Sequence, residues 1–168
     1  MDYNTFIKLS NNYKTVPVYK KILADLLTPI SVYMRLAKKS KFSFILESAI
    51  NGNSKGRYSF IGTDPQLIIK SENKKVYKKS KADWELLSDD FLTVLRLEQQ
   101  KYNAPKLSDI PSFTGGLVGY MGYESVVWME DIPIYDHDEL ECPDAIFMLF
   151  KNIIAFDHLK NQIILFSN

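Results

Sequence analysis

The segment from Phe42 to Ser48 joins an alternating apolar pattern to a polar end. Successive side chains of a strand point to opposite faces. One face of this run therefore carries, in order, Phe42, Phe44, Leu46 and Ser48. A hydroxyl beyond a row of apolar side chains can form the rim of a slot that holds an apolar ring and hydrogen-bonds a polar group. A strand that emerges into a solvated loop has the same pattern, and the spacing leaves both interpretations open.

The next strand-like run begins at Arg57, one of three arginines in the chain. If the two runs form neighbouring strands that return past one another, Arg57 brings a permanent positive charge near Ser48. A hydroxyl and a guanidinium together suit an amino acid, which carries both an ammonium and a carboxylate group.

Two other features suggest a nucleophile and a metal site, but the neighbouring residues favour neither. Cys142 is the only cysteine, and as a nucleophile it would need His137 or His158 as its base. No local pattern pairs these residues, so a structural or surface thiol is favoured. The segment Glu130–Asp144 holds seven carboxylates, which suggests a metal site. It has no glycine to turn it round a cation and its prolines extend it, so the sequence predicts no metal site in this chain.

The lysine-rich and glycine-rich stretches are interpreted as structural. The lysines between Lys70 and Lys81 are flanked by acidic residues and accompanied by a single aromatic residue, which favours a solvated hairpin over a nucleic-acid surface. Gly116, Gly119 and Gly122 match neither the dinucleotide fingerprint nor a Walker loop. Glycine in a strand more often marks a place where another backbone or a ring packs closely.

The composition is that of an ordinary globular chain. With 168 residues, 46% hydrophobic residues and a net charge of +1, one domain over residues 1–168 is expected, and a general nucleic-acid binder is not. The single cysteine excludes an internal disulfide and fits a reducing compartment. Neither a secretion signal nor an apolar run of ~18 residues is present, so no membrane span is predicted and the cytoplasm is the expected location.

Local patterns predict the elements that position these residues. Thr15 and Pro17 resemble a helix start and Pro29 a stop, with apolar residues at four-residue spacing between them, so an amphipathic helix is predicted there. A second helix is predicted over residues 83–102. Strands are predicted at 31–36, 42–48, 57–62, 67–71, 75–78, 145–156 and 162–166, the last two forming a hairpin. The predicted fold class is α+β, with mainly antiparallel, β-sandwich-like sheets and flanking helices.

Several motifs occur in the order found in one known family. The chain contains "VPVYKKILADLLTPISVYMRL", "FILESA", "GRYSFIGTDP", "FTGGLVGYMGYESV" and "CPDAIFMLF". These segments resemble the N-terminal region of anthranilate synthase component I, which is related to the aminodeoxychorismate synthase large component. The first segment is more similar to the anthranilate enzyme. The resemblance runs through nearly the whole chain and implies the N-terminal half of the chorismate-utilising enzyme fold.

The resemblance also assigns a role to the polar strand end. In family members that tryptophan inhibits, a Leu-Leu-Glu-Ser motif contributes to the feedback site, and this chain has Ile45, Leu46, Glu47 and Ser48 at those positions. The family pattern implies that Ser48 contacts the head group of tryptophan. Glu47 and Arg57 would belong to the surrounding polar network.

The activity implied by the resemblance belongs to a longer parent enzyme. That enzyme converts chorismate and ammonia or glutamine to anthranilate and pyruvate, requires Mg2+, and works with a glutamine amidotransferase, component II. Its catalytic residues and magnesium ligands lie in a C-terminal chorismate-binding domain, so no catalytic or metal-binding residue is expected in this chain, which alone is expected to be inactive. An exposed docking face would make self-association of the chain unsurprising. The alternatives are the N-terminal region of aminodeoxychorismate synthase, in the folate pathway, and a stand-alone amino-acid-binding module.

Overall fold

The structure is a computed structural model that describes residues 1–47, 56–80, 83–88, 90–133 and 142–168. Its helices are α1 Tyr3–Ser10, α2 Pro29–Ala37, α3 Phe91–Gln99 and a 3₁₀ helix, Tyr123–Trp128. Its strands are β1 Val18–Leu23, β2 Ser43–Leu46, β3 Tyr58–Thr63, β4 Leu67–Glu72, β5 Lys75–Lys79, β6 Glu85–Leu87, β7 Gly116–Met121, β8 Ala145–Phe150, β9 Asn152–Asp157 and β10 Gln162–Ser167.

The chain divides into two compact units. The first is formed by Met1–Pro65, Lys101–Gly116 and Phe150–Asn168, and the second by Gln66–Gln100 and Leu117–Leu149. One five-stranded sheet has the order β1-β10-β9-β3-β2 and the other the order β6-β5-β4-β8-β7. The strand pairs with an assigned register are antiparallel, which confirms the predicted α+β class with mainly antiparallel sheets. The single domain over residues 1–168 stays a prediction.

None of the helices in the described residues is long and apolar enough to cross a membrane.

The first sheet has apolar side chains on both faces of β2 and β3. On one face Ile61 is fully buried beside Phe156 and Ile163, and residues of α2 pack against this cluster. On the other face the ring of Phe44 lies 4.8 Å from that of Phe150, measured between centroids. The two faces pack against different parts of the first unit, so a slip by one residue would exchange their packing partners.

The predicted helix between Thr15 and Pro29 is wrong, because Val18–Leu23 forms β1. This strand pairs with β10 along its whole length, from Val18 opposite Ser167 to Leu23 opposite Gln162. β1 lies at the end of the sheet order and most of its side chains are exposed, so it does not show the strict alternation of a half-buried strand.

A helix, α2, begins at Pro29, the residue that was predicted to end a helix. Thr28 is the N-cap of α2 and Pro29 is its first residue. The Ser31 N–H donates to the Thr28 hydroxyl at 3.2 Å, and the Thr28 N–H donates to the Ser31 hydroxyl at 3.0 Å. This capping box satisfies two free N–H groups, so residues 31–36, which were predicted as a strand, are helical.

Other predictions were confirmed or corrected in their boundaries. β2, β3, β4 and β5 lie at the predicted strands, and β9 and β10 form the predicted hairpin. The predicted strand over 145–156 is interrupted at Lys151 and divides into β8 and β9. The predicted helix over 83–102 is shorter, since Asp90 caps α3 through the Thr93 N–H and β6 precedes it.

The glycine prediction is confirmed at Gly119. A Cβ atom at this position would lie 1.9 Å from the carbonyl oxygen of Ile146 and 2.7 Å from the Cα atom of Phe147. The neighbouring backbone belongs to β8, so only a residue without a side chain allows this approach.

Candidate amino-acid-binding site

The paired ends of β2 and β3 contain the residues that the sequence predicts for an amino-acid site. Leu46, the last residue of β2, is opposite Phe60 of β3. Glu47 follows β2 directly and Arg57 directly precedes β3, so both lie at the same end of this antiparallel pair. The structure therefore confirms that the two runs are neighbouring strands. Ser48 lies outside the described residues.

The side chain of Arg57 forms a two-point ion pair with Asp157, the last residue of β9. Its Nε donates to Asp157 Oδ1 at 3.0 Å and its Nη2 donates to Asp157 Oδ2 at 2.6 Å. The carboxylate is 3% exposed and also accepts a hydrogen bond from the Lys160 N–H at 3.2 Å. The guanidinium carbon lies 4.8 Å from the centroid of the Tyr58 ring. Arg57 is thus held between a carboxylate and an aromatic ring.

The charges of this pair compensate one another. Burial raises the pKa of Asp157, but hydrogen bonds from Arg57 and from the Lys160 N–H outweigh it, so the pKa lies below its ordinary value. The hydrogen bond with Asp157 raises the pKa of Arg57. Both groups are therefore charged at neutral pH. The role of Arg57 in a polar network around tryptophan stays a prediction.

A second polar contact connects the same two parts of the chain. The buried Ser59 Oγ lies 2.7 Å from His158 Nε2, and the His158 N–H donates to the Arg57 carbonyl oxygen at 2.9 Å. Together with the ion pair to Asp157, these bonds attach the start of β3 to the turn between β9 and β10. His158 was considered as a base for Cys142, and the structure places its ring on Ser59 instead. His137, the other candidate base, lies outside the described residues.

The apolar part of the site is formed by side chains that share a face of β2 and β3. Leu46 is 47% exposed, and Phe60 lies opposite it. The ring of Phe60 contacts the rings of Tyr58 and Phe113, with centroids 6.0 and 5.2 Å away. Glu47 is exposed at the end of the strand. An aromatic surface beside polar groups can bind a small amphipathic molecule.

Sequence reasoning missed Asp157 and Ser59 as members of this site. Asp157 and His158 were interpreted as the beginning of a hairpin turn, but Asp157 is the last residue of β9 and the turn begins at His158. The Arg57 side chain and its carboxylate are 100 residues apart in sequence, so no local pattern connects them. The available signal was an acidic residue at the end of an apolar strand, the same feature that drew attention to Glu47.

The described residues contain no group of three or more His, Cys, Asp or Glu side chains placed to hold a metal ion. Magnesium, which the family resemblance implies, therefore has no fitting set of ligands in this part of the chain.

Comparison with known proteins points in one direction. No family model matches the chain. Proteins named anthranilate synthase component 1 match it at 30% identity over 161 residues in Acetivibrio thermocellus, 32% over 165 residues in Synechocystis and 34% over 164 residues in Mycolicibacterium smegmatis. These alignments cover 95%, 96% and 97% of the chain. The chain resembles anthranilate synthase component 1 over nearly its whole length.

A solved structure supports the resemblance to anthranilate synthase component 1. The crystal structure of anthranilate synthase component I from Streptococcus pneumoniae aligns with a TM-score of 0.58 and 29% identity, covering 89% of this chain and 31% of that one. The chain likewise spans 32% of the Acetivibrio thermocellus and Synechocystis proteins. It therefore corresponds to about a third of the length of its relatives, consistent with the predicted N-terminal part of the enzyme.

Proposed function

We propose that this chain is the N-terminal, tryptophan-sensing and subunit-docking part of an anthranilate synthase component 1. The whole enzyme would convert chorismate, with ammonia or glutamine as the nitrogen source, to anthranilate and pyruvate. The observation that carries this proposal is the similarity to proteins of that name over 95% of the chain or more. The cytoplasmic location and any homo-oligomer stay predictions.

The site at the end of β2 and β3 supports a role in binding tryptophan. An indole ring requires an apolar surface, which the half-exposed Leu46 and its neighbour Phe60 offer. The ammonium and carboxylate groups require polar partners at the edge of that surface, where Glu47 is exposed and where Ser48 follows it in sequence. The pair Arg57–Asp157 would hold β3 in position without itself binding the ligand's carboxylate.

Feedback inhibition follows from this site if tryptophan binds one arrangement of the whole enzyme better than another. Binding would then shift the population toward the less active arrangement. A ligand shifts a two-state equilibrium only by its differential affinity, and a change from mostly active to mostly inactive requires about 5 kcal/mol.

Catalysis and magnesium binding are assigned to the part of the enzyme outside this chain. Chorismate carries two carboxylates, so its site should contain several fixed cations and a metal ion. Three arginines in 168 residues do not form such a site, and the Arg57 charge is already compensated by Asp157.

The test uses the full-length enzyme with chorismate and ammonia. We expect anthranilate and pyruvate as products, and we expect Ser48→Phe to remove inhibition by tryptophan while the uninhibited rate is kept. The matched control is Ser43→Phe. Ser43 also lies in β2, but its hydroxyl donates to the Tyr33 hydroxyl of α2, on the other face of the strand from Leu46. Formation of aminodeoxychorismate would instead identify the folate-pathway relative. Unchanged tryptophan inhibition in the Ser48 variant would refute the assignment of the feedback site.

A further inference from the structure

The ring of Phe113 lies beside the surface that is proposed to receive an indole ring. Its centroid is 5.2 Å from that of Phe60, and the planes of the two rings are at 90° to one another. Leu46 is opposite Phe60 in the antiparallel pair of β2 and β3, so these two side chains share a face of the sheet. An edge-to-face contact is a favoured arrangement of two aromatic rings. Phe113 therefore constrains the ring that stands next to Leu46.

A second ring constrains Phe60 from within its own strand. Tyr58 is two residues before Phe60 in β3, and the two ring centroids are 6.0 Å apart. The guanidinium carbon of Arg57 lies 4.8 Å from the centroid of the Tyr58 ring, and Arg57 is itself bonded to Asp157. The Phe60 ring is thus in contact with one ring that is fixed by the ion pair and with one ring from a distant segment of the first unit.

The segment that carries Phe113 is fixed on both sides of this residue. Ile110, three residues earlier, is buried. On the other side, the Asn168 Nδ2 group donates to the carbonyl oxygen of Thr114 at 2.7 Å and to the carbonyl oxygen of Lys151 at 2.8 Å. One side-chain amide therefore connects the backbone next to Phe113 to the residue between β8 and β9.

Close packing at Gly115 leaves this segment little freedom. A Cβ atom there would lie 2.6 Å from Asn168 Nδ2 and 3.0 Å from the carbonyl oxygen of Phe150, so the backbone approaches as closely as only glycine allows. The Phe150 ring packs at 4.8 Å on the ring of Phe44, which in turn lies 6.4 Å from that of Phe113. The backbone and the ring of Phe113 are therefore fixed by the same part of the first unit.

Fixed rings lower the cost of binding a ligand on the surface beside them. A ligand that has to order mobile side chains loses affinity, because each immobilised side chain gives up rotational freedom. A binding surface is therefore precise when neighbouring residues already hold its side chains in position. Phe60 is held in this way from two directions, and the half-exposed Leu46 beside it is available to be covered by a ligand.

We propose that Phe113 is a positioning residue of the tryptophan site, because it fixes the Phe60 ring in the orientation that receives an indole ring beside Leu46. Asn168 acts through Phe113 by holding the adjacent backbone at Thr114. The inference rests on the proposed function, since it requires that tryptophan binds at the end of β2 and β3. It adds to that site a residue that belongs to neither strand.

The test measures binding of L-tryptophan to the full-length enzyme by calorimetric titration, and the uninhibited rate with chorismate and ammonia. The variants are Phe113→Leu, which removes the ring but keeps an apolar side chain, and Asn168→Ala. The matched controls are Phe91→Leu, at a buried phenylalanine of α3, and Asn12→Ala, at an exposed asparagine whose amide donates to the Lys8 carbonyl oxygen at 3.4 Å. The melting temperature of every variant is recorded.

We expect Phe113→Leu to raise the dissociation constant of tryptophan about fivefold to tenfold, and Asn168→Ala to raise it about threefold or more. In the double variant, Asn168→Ala should add little to the effect of Phe113→Leu, because both changes act through the same ring. The kcat and the KM for chorismate should be unchanged, since the reaction does not use this ring. Both controls should bind tryptophan as the unmodified enzyme does.

Three results would overturn the inference. The first is a dissociation constant within about twofold of the unmodified value in both Phe113→Leu and Asn168→Ala. The second is an equal loss of tryptophan binding and of kcat, which would assign Phe113 a general structural role. The third is full additivity in the double variant, which would mean that Asn168 acts independently of Phe113. If Phe113→Leu does not fold, the single variant Asn168→Ala decides by the first two criteria.

The proposed function fails in a different way. If the unmodified full-length enzyme does not bind tryptophan, the tryptophan-sensing role is refuted and the inference falls with it. If the unmodified enzyme binds tryptophan and the variants at Phe113 and Asn168 bind it equally well, the inference alone is refuted.

Discussion

Replacing Asp157 by Asn should weaken the fold through one charge at the end of β9. The substitution keeps the shape of the side chain but removes the anion that accepts bonds from Arg57 at 3.0 and 2.6 Å. A hydrogen bond to a charged group stabilises a fold by about 1.5–3 kcal/mol, and Arg57 can recover part of that from water because its side chain is 35% exposed. We therefore expect a loss near the lower end of this range. For a chain of this length, it corresponds to a melting temperature lower by roughly 3–8 °C.

The effect of the substitution should depend on pH in a defined direction. The pKa of Asp157 is lowered in the folded protein, so its contribution to stability is complete above the unfolded pKa of about 3.9. It is lost as the pH falls through the folded pKa, where the carboxylate of the native state becomes protonated. The difference in stability between the original protein and the Asn variant should therefore be constant from pH 7 to about 5 and then decrease.

Urea unfolding between pH 7 and pH 2.5 measures this difference. The matched control is Asp131→Asn, which removes an exposed carboxylate that forms no ion pair with a described residue. A surface substitution away from ion pairs and caps changes the free energy of unfolding by about 0.5 kcal/mol or less, so this variant should be nearly as stable as the original. Equal losses in the two variants, or a loss at Asp157 that is as large at pH 2.5 as at pH 7, would refute the argument that a buried and compensated charge stabilises the end of β9.

Two further substitutions test local geometry. Gly119→Ala should destabilise the second unit by more than the usual 1–3 kcal/mol of an overpacked site, because its Cβ would meet the Ile146 carbonyl oxygen at 1.9 Å. In the control Gly122→Ala the nearest contact is 3.1 Å, so its loss of unfolding free energy should be smaller. The reverse order of stabilities in urea unfolding would be evidence against the close approach of β7 and β8. The hydrogen bond to Asp109, together with burial, raises the pKa of Tyr19 to about 12. In a spectrophotometric titration of the phenol groups, Tyr19→Phe should remove a component that titrates near that value, and Asp109→Asn should shift it toward 10; a component that neither change affects would contradict the assignment.

Local sequence patterns were sufficient to predict strands whose side chains are largely buried. β3, β4 and the β9–β10 hairpin were predicted from apolar alternation or continuous apolar runs bounded by turn residues, because these strands are buried and their neighbours constrain each side chain. The resemblance to anthranilate synthase component 1 was likewise present in the order of the sequence motifs. The end of the candidate site formed by Leu46, Glu47 and Arg57 followed from the alternation in β2 and β3.

The tertiary structure alone decided features that depend on neighbours far away in sequence. The apolar spacing of Val18, Ile22 and Leu26 satisfies a helical period, yet Val18–Leu23 is an edge strand because six residues of β10 supply its hydrogen-bond partners. The charge of Arg57 also depends on a distant neighbour. From the sequence it was predicted as a cation near a ligand, but in the fold it is paired with Asp157. A short segment can carry the apolar spacing of a helix or a strand. Which strand its backbone pairs with, and which opposite charge lies beside its side chains, is decided only when the chain folds.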